Sequence, residues 1–286
     1  MSEQTLEKGT LYLVATPIGN LEDITLRAIR TLRDADLIAA EDTRRTAALL
    51  NHLDIKTPLT SYFQHNEKSK GEFLIEKLRA GETIALVSDA GTPAISDPGE
   101  DLVRLCAEAG IPVVPVPGAT AAISALICSG LPTGRFSFEG FLSMSKKSRK
   151  EHLANIKNHP YTMIFYEAPH KLTRTLQDLY DVLGDRRIVL CRELTKRYEE
   201  FLRFTLSEAI AYYKVREPKG EYVLILDGAT EIEPEENELN NLTISEHIKH
   251  YTDIGLEPKE AQKAVAADRG ITKREVYAAM LAEKND

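Results

Sequence analysis

The chain has no tryptophan, only three cysteines and no long apolar run. Cys106, Cys128 and Cys191 lie far apart and form no CxxC pair. Neither a disulfide scaffold nor a metal site is expected from them, and they read as reduced core thiols. No stretch approaches the roughly 18 apolar residues that span a bilayer. The opening residues, Met1-Ser2-Glu3-Gln4-Thr5, are acidic where an export signal is basic. A soluble cytoplasmic protein with no membrane partner is expected. Common motifs are missing too. Without GxxxxGK(S/T) there is no phosphate loop, and no GxGxxG follows the first strand. HExxH and GxSxG are absent, which excludes zincins and α/β-hydrolases.

What is present is an ordinary globular composition. Of 286 residues, 43% are hydrophobic and 28% charged. At roughly 150 residues per domain that is about two domains, long enough to bury a core without staples. The net charge of -8 argues against a nucleic-acid partner, but five glutamates fall within Glu231–Glu238, leaving -3 for the rest. Basic residues gather at Lys146-Lys147-Ser148-Arg149-Lys150, at Arg192, Lys196 and Arg197, and at Lys273-Arg274. Polyanion affinity follows local clusters, so RNA stays a possible partner. Each cluster alone also fits a solvated helix face.

Short apolar runs alternate with helical patterns from Leu11 to Val116, the mark of a mainly parallel α/β sheet. Strands are expected at 11–15, 37–40, 83–88 and 112–116. Helices are expected near 24–32, 45–53, 72–79 and 101–109. After Pro117-Gly118 the pattern restarts with a small-residue helix at 119–128, a strand at 136–141 and a helix at 146–158. A strand at 162–166 and a helix at 172–183 follow. Strands 187–192 and 201–206 are too close for a crossover helix and should pair antiparallel. A last strand at 221–227 makes the second sheet mixed. The acidic segment from Glu231 reads as a linker. Beyond it stand three short helices at 245–251, 258–269 and 273–283. Thr272 and Glu275 form a capping box there. The last two helices have helix-turn-helix spacing, which fits either nucleic-acid recognition or simple packing. The domains are thus 1–118, 119–230 and 240–286. His247 and His250 read as surface histidines.

Polar and Gly/Pro-rich loops follow most strands. They are Thr16–Asn20, Glu41–Arg44, Ser88–Pro93 with Asp97–Gly99, Pro117-Gly118, Tyr166–His170 and Arg192–Lys196. Ligands bind outside the carboxyl ends of strands in open α/β sheets, so these loops should converge on one cleft. Asp89-Ala90-Gly91 offers a carboxylate beside small residues. Gly118 should open a helix whose free N–H groups point into that cleft. Ala119, Ala121 and Ala122 leave room for a ligand, and Tyr166 either stacks on it or lines the wall.

These motifs resemble the ribosomal RNA branch of the tetrapyrrole methylase family. Thr16-Pro17-Ile18-Gly19-Asn20-Leu21, Ala40-Glu41-Asp42-Thr43-Arg44, Ser88-Asp89-Ala90-Gly91-Thr92-Pro93 and Ser96-Asp97-Pro98-Gly99 match in order. So do Pro117-Gly118, Phe165–His170, Glu193-Leu194-Thr195-Lys196 and Lys219-Gly220-Glu221. The resemblance covers essentially the whole chain. It implies two α/β domains with S-adenosylmethionine between them, usually in a homodimer. It implies 2'-O-methylation of a cytidine ribose in the decoding region of 16S rRNA, in the small ribosomal subunit. Cofactor binding then falls to Asp89, Ala90, Gly91, Pro117, Gly118, Ala121 and Tyr166.

Transfer of a methyl group to a hydroxyl is chiefly a matter of alignment, helped by a base. Glu41, Asp42, Asp97, Glu167, Glu193 and Lys196 are candidate proton handlers. Arg44 and Lys196 read better as phosphate binders, and Asn20 as a sugar-orienting group. The catalytic set expected is Asn20, Glu41, Arg44, Glu167 and Lys196. Two other readings compete: a small-molecule tetrapyrrole C-methyltransferase on the same fold, and a non-enzymatic nucleic-acid binder using the C-terminal helices.

Overall fold

A computed structural model describes residues 5–63, 67–229, 239 and 242–283. The acidic linker expected from Glu231 lies outside the described residues up to Leu239. The chain divides into two compact units, Met1–Glu231 and Ile232–Asp286.

The first unit holds two five-stranded sheets. The first contains β1 (Leu11–Val14), β2 (Leu37–Ala40), β3 (Leu59–Ser61), β4 (Ile84–Val87) and β5 (Val113–Val116). Their order is β3-β2-β4-β1-β5, and every neighbouring pair is parallel. β5 tolerates Pro115 because it is an edge strand. The inner strands β1, β2 and β4 are buried on both faces. Leu11, Ala39 and Leu86 pack with Leu74 and Leu78 of α3 (Glu67–Arg79) and Leu102 of α4 (Glu100–Glu108). Tyr12, Ile38 and Val87 point the other way, onto Leu32 of α1 (Leu26–Asp34) and Leu50 of α2 (Thr43–His52). This two-sided burial explains the continuous apolar runs in the sequence.

The second sheet contains β6 (Phe136–Gly140), β7 (Thr162–Glu167), β8 (Arg187–Arg192), β9 (Glu200–Thr205) and β10 (Tyr222–Leu226), in the order β6-β7-β10-β8-β9. β6 and β7 run parallel, the other neighbours antiparallel, including β8 with β9. One face is covered by α5 (Ala121–Ser129) through Ala122, Ala125 and Leu126. The other packs on α6 (Lys146–Asn155), α7 (Pro169–Leu183) and α8 (Leu206–Tyr213).

Three elements differ from the sequence reading. β3 was not expected, since three half-buried residues leave no apolar run. α8 was not expected either. It follows β9 directly, started by a capping box of Thr205 and Glu208 rather than by a loop. α5 begins at Ala121 with Thr120 as its N-cap, so Gly118 does not open that helix.

The second unit contains α9 (Ile244–Asp253), α10 (Pro258–Asp268) and α11 (Lys273–Glu283) around Ile248, Ala261, Val265 and Val276. The Thr272–Glu275 capping box is present in both directions. His247 is not a surface residue. It is fully buried, its Nε2 3.1 Å from Asp268 Oδ2, while its Nδ1 accepts from Arg269 Nε at 3.2 Å. The α9–α10 packing, invisible to local sequence, turns it inward. No helix among the described residues is long and apolar enough to cross a membrane.

Candidate active site

Strand order brings the loops together. β1 and β4 are neighbours, and beyond their ends Thr16 and Gly91 form an antiparallel bridge, with N–H···O distances of 2.9 and 3.0 Å. Gly91 sits at φ +81°, and a Cβ there would lie 3.1 Å from Ile18 Cγ2. The position needs glycine on both counts. β2 and β4 are also neighbours, with Ala40 opposite Val87. Just beyond that pair, Glu41, one residue past Ala40, and Asp89, two past Val87, meet. Glu41 Oε2 accepts from the Asp89 amide at 3.2 Å, and Asp89 Oδ1 accepts from the Asp42 amide at 3.0 Å. Asp89 Oδ2 pairs with Arg45 Nη1 at 3.2 Å. The loop after β8 reaches back to the first sheet, where the Asn20 amide donates to Thr195 Oγ1 at 3.1 Å.

These loops enclose a cavity of about 520 Å³. Asp89, Ala90, Gly91 and Asp97 line it from the first sheet, and Tyr166, Glu167, Leu194 and Lys196 from the second. Ala121 and Thr120 lie between. Five non-glycine residues have left-handed backbone among the described residues, and four of them belong to the two enclosing loops: Ala94, Ser96, Glu193 and Thr195. Such conformations cost about 1–3 kcal/mol each and persist where surrounding contacts enforce them.

The carboxylates differ sharply. Burial, then the charge of Glu41, pushes Asp97 up to about 6, against a hydrogen bond from Ser88. Burial and the charge of Asp89 also raise Glu41. Asp42 is the opposite case, held at about 2 by the side chain and amide of Arg44. Lys196 Nζ bridges Glu193 Oε1 at 3.1 Å and Glu221 Oε2 at 2.7 Å. Burial works against its charge, but those two partners outweigh it and hold the ammonium above its usual value. Cys191 also lines the cavity, but burial pushes its thiol up to about 12, so it supplies no thiolate at neutral pH.

The expected site residues separate into two groups. Asp89, Ala90, Gly91, Ala121, Tyr166, Glu167 and Lys196 line the cavity. Pro117 and Gly118 do not; they are exposed beyond β5, and a Cβ on Gly118 would meet Ala15 Cβ at 2.9 Å. Asn20, Glu41 and Arg44 also lie off the lining. Asn20 caps a 3-10 turn at Leu21–Asp23, and Arg44 turns outward to Asp42. Glu167 has both oxygens engaged, one by Thr175 Oγ1 at 2.6 Å and one by the Ala168 amide at 2.8 Å. It anchors the start of α7 rather than offering a free base. Arg45, Phe141 and His170 line the cavity without having been singled out. For Arg45 the available signal was helix phase. Consecutive helical residues point about 100° apart, so Arg44 and Arg45 cannot share a partner on one face.

A cavity of strand-end loops between a parallel and a mixed α/β sheet, lined by several carboxylates, has the form of a small-molecule-binding cleft in an α/β protein. The family model for Tetrapyrrole (Corrin/Porphyrin) Methylases matches residues 10–210. The chain is 56% identical to the ribosomal RNA small subunit methyltransferase I of Halalkalibacterium halodurans, over 96% of both chains. It is 50% identical to the Bacillus subtilis protein of the same name, over 95% of this chain and 94% of that one. Its fold is similar to a crystal structure of uroporphyrin-III C-methyl transferase from Thermus thermophilus complexed with S-adenosyl homocysteine. The TM-score is 0.53 and the identity 22%, over 76% of this chain and 97% of that one. The chain belongs to the tetrapyrrole methylase family and is a methyltransferase.

The Asp97 environment makes a testable statement about stability. Its folded-state pKa lies above the ordinary 3.8. Its contribution to stability is therefore complete below about 3.8 and is lost as pH rises through about 6. Asp97→Asn removes the ionisable group and should raise the melting temperature by about 2 °C at pH 7.5 and leave it unchanged at pH 4. Calorimetry at both pH values decides; an equal shift at both would refute the assignment.

Proposed function

We propose that the cavity binds S-adenosylmethionine and that the protein methylates the 2'-hydroxyl of a cytidine ribose in 16S rRNA, acting on the small ribosomal subunit. The residues present fit the cofactor. A cationic, adenine-bearing ligand suits carboxylates at Asp89 and Asp97, small residues at Ala90, Gly91 and Ala121, and apolar walls at Ile18 and Leu194. When bound, the cofactor supplies an electrophilic methyl group. Asp89, Ala90, Gly91, Ala121 and Tyr166 are the residues assigned to hold it. Tyr166 is positioned for that by its hydroxyl, which accepts from the Ala122 amide at 3.2 Å.

The likeness to small subunit rRNA methyltransferases carries the RNA reading, and a lining carboxyl, Asp97, is suited to a ribose hydroxyl. A ribose hydroxyl is a weak acid, and a base with a pKa near the working pH serves it best. Asp97 is the lining carboxyl held up to about 6. Glu167 is committed to Thr175, and Glu193 to Lys196. Asp97 takes the hydroxyl proton as the oxygen attacks and returns it to solvent. The inert Cys191 thiol weighs against routes to base C-methylation that need a cysteine nucleophile.

Labelled methyl transfer to small ribosomal subunits, followed by nucleoside mass spectrometry, tests this. The label should stay with a cytidine ribose. A methyl that leaves with the base, or transfer to uroporphyrinogen in place of RNA, sinks the reading. Activity should rise with pH through about 6 as Asp97 ionises. Asp97→Asn should abolish that limb and lower kcat about 100-fold.

The second unit is assigned to RNA capture. Lys259, Lys263, Lys273 and Arg274 are exposed on it. Arg269 is not available, because its guanidinium is bonded to His247 and to the Leu239 and Leu242 carbonyls. A chain ended after Glu231 should keep its cofactor affinity but show a several-fold higher KM for RNA, less so at low salt. Unchanged KM at physiological salt removes this role.

We also propose a homodimer. Ile123 and Ile127, one turn apart on α5, are 40% and 70% exposed and form an apolar face for a second copy. Sedimentation should give twice the 31.9 kDa mass. Ile127→Glu should halve it; a wild-type monomer at micromolar concentration ends the proposal.

A further inference from the structure

The cavity is lined by one further ring, Phe141, that the cofactor assignment leaves unused. Tyr166 is half-buried, its hydroxyl is committed, and two rings meet it edge-on: Phe138 at 5.1 Å and Phe141 at 5.6 Å. Phe141 is the outer member and is 53% exposed. Its backbone is well held. Gly140 before it turns at φ +64°, and Leu142 after it is buried. Ser143 Oγ accepts from the Ser145 amide at 3.2 Å, and Ser145 in turn caps α6. An exposed ring on such a support loses little conformational freedom when something stacks on it.

The residues that follow carry the opposite kind of chemistry. Lys146, Lys147, Arg149 and Lys150 open α6. Arg149 points inward, with its Nε 2.9 Å from Asp178 Oδ2 and its side chain 7% exposed, and so pins the helix. Lys146, Lys147 and Lys150 are exposed. Lys147 has a 3.9 Å contact with Glu151, an exposed pair of little energy. In a chain of net charge -8, three outward lysines next to an exposed ring are a local reversal of sign.

A nucleotide inside a folded RNA hides its sugar and base in the stack. To reach a cavity of about 520 Å³ it must swing out, and the lost stacking has to be replaced. Aromatic faces replace it for any base, with cations tracking the backbone alongside. We propose that Phe141 is the platform on which the target nucleotide's base stacks, with Lys146, Lys147 and Lys150 holding the neighbouring phosphates. This rests on the RNA reading above and adds the residue that receives the extruded base.

The chain has no tryptophan, which supplies a clean probe. Phe141→Trp in the full-length protein places its one indole at the proposed contact. A cytidine-containing single-stranded oligoribonucleotide should quench that fluorescence, and S-adenosylmethionine alone should not. Phe141→Ala should keep cofactor affinity by calorimetry within twofold while raising KM for the subunit at least tenfold. Lys147→Gln with Lys150→Gln should lower the salt slope of RNA binding by roughly 1 to 2. Quenching by the cofactor alone, or parallel loss of cofactor affinity in Phe141→Ala, would make Phe141 an adenine contact and overturn the proposal. So would an unchanged KM. Wild-type protein that methylates no ribosomal RNA overturns the function reading itself, and this inference with it.

Discussion

Asp89 is held from three sides. Its amide donates to Glu41, one carboxylate oxygen accepts from the Asp42 amide, and the other pairs with Arg45. All three contacts require β4 to lie beside β2 in the register that sets Ala40 against Val87. Slipping that register by one residue would exchange the faces of buried Ser88 and half-exposed Asp89. Gly91 then could not reach Thr16, and Ile18 would lose its place on the cavity wall. The floor of the site is thus a consequence of parallel pairing in the core, tied off by one side chain.

The charge pattern divides labour within the protein. Glu41, Asp89 and Asp97 stand close enough that burial and mutual repulsion raise two of them. Arg45 offsets this weakly. Its side chain is 68% exposed, and an exposed pair contributes about 0–1 kcal/mol. The cavity therefore favours a cation and disfavours phosphate. Exposed lysines outside the lining include Lys146, Lys147 and Lys150 at the start of α6 and Lys259, Lys263 and Lys273 on the C-terminal helices. A cation and a polyanion can then be held by different side chains of one acidic chain.

The rim is stiff where it has to position groups. Left-handed backbone at Ala94, Ser96, Glu193 and Thr195 is enforced by the loops' contacts. Lys196 ties the β8 loop to Glu221 at the start of β10. Glu167, buried at the end of β7, fixes the first turn of α7 through Ala168 and Thr175. Glu167 and Lys196, both in the cavity lining, thus also brace its loops.

Much of this was legible in the residue order. Strands such as Leu37–Ala40 and Arg187–Arg192 announce themselves because two-sided burial demands continuous apolar residues. The helix cap at Thr272 is equally local, its side chain satisfying the Glu275 amide three residues on. The loop motifs pointed to a carboxylate-lined cleft and to its family. Short or abutting elements escaped: β3 is three residues long, and α8 begins where β9 stops. The tertiary structure alone decided which polar residues face the cavity. Arg45 rather than Arg44 meets Asp89 because helix phase turns one inward. His247 is buried because α10 closes over it. Asp97 is pushed up to about 6 by burial and then by the charge of Glu41, which is distant in the chain and brought near only by the fold. Local sequence sets backbone preference through short-range sterics and hydrogen bonds. Side-chain direction and pKa depend on neighbours that only the folded chain assembles.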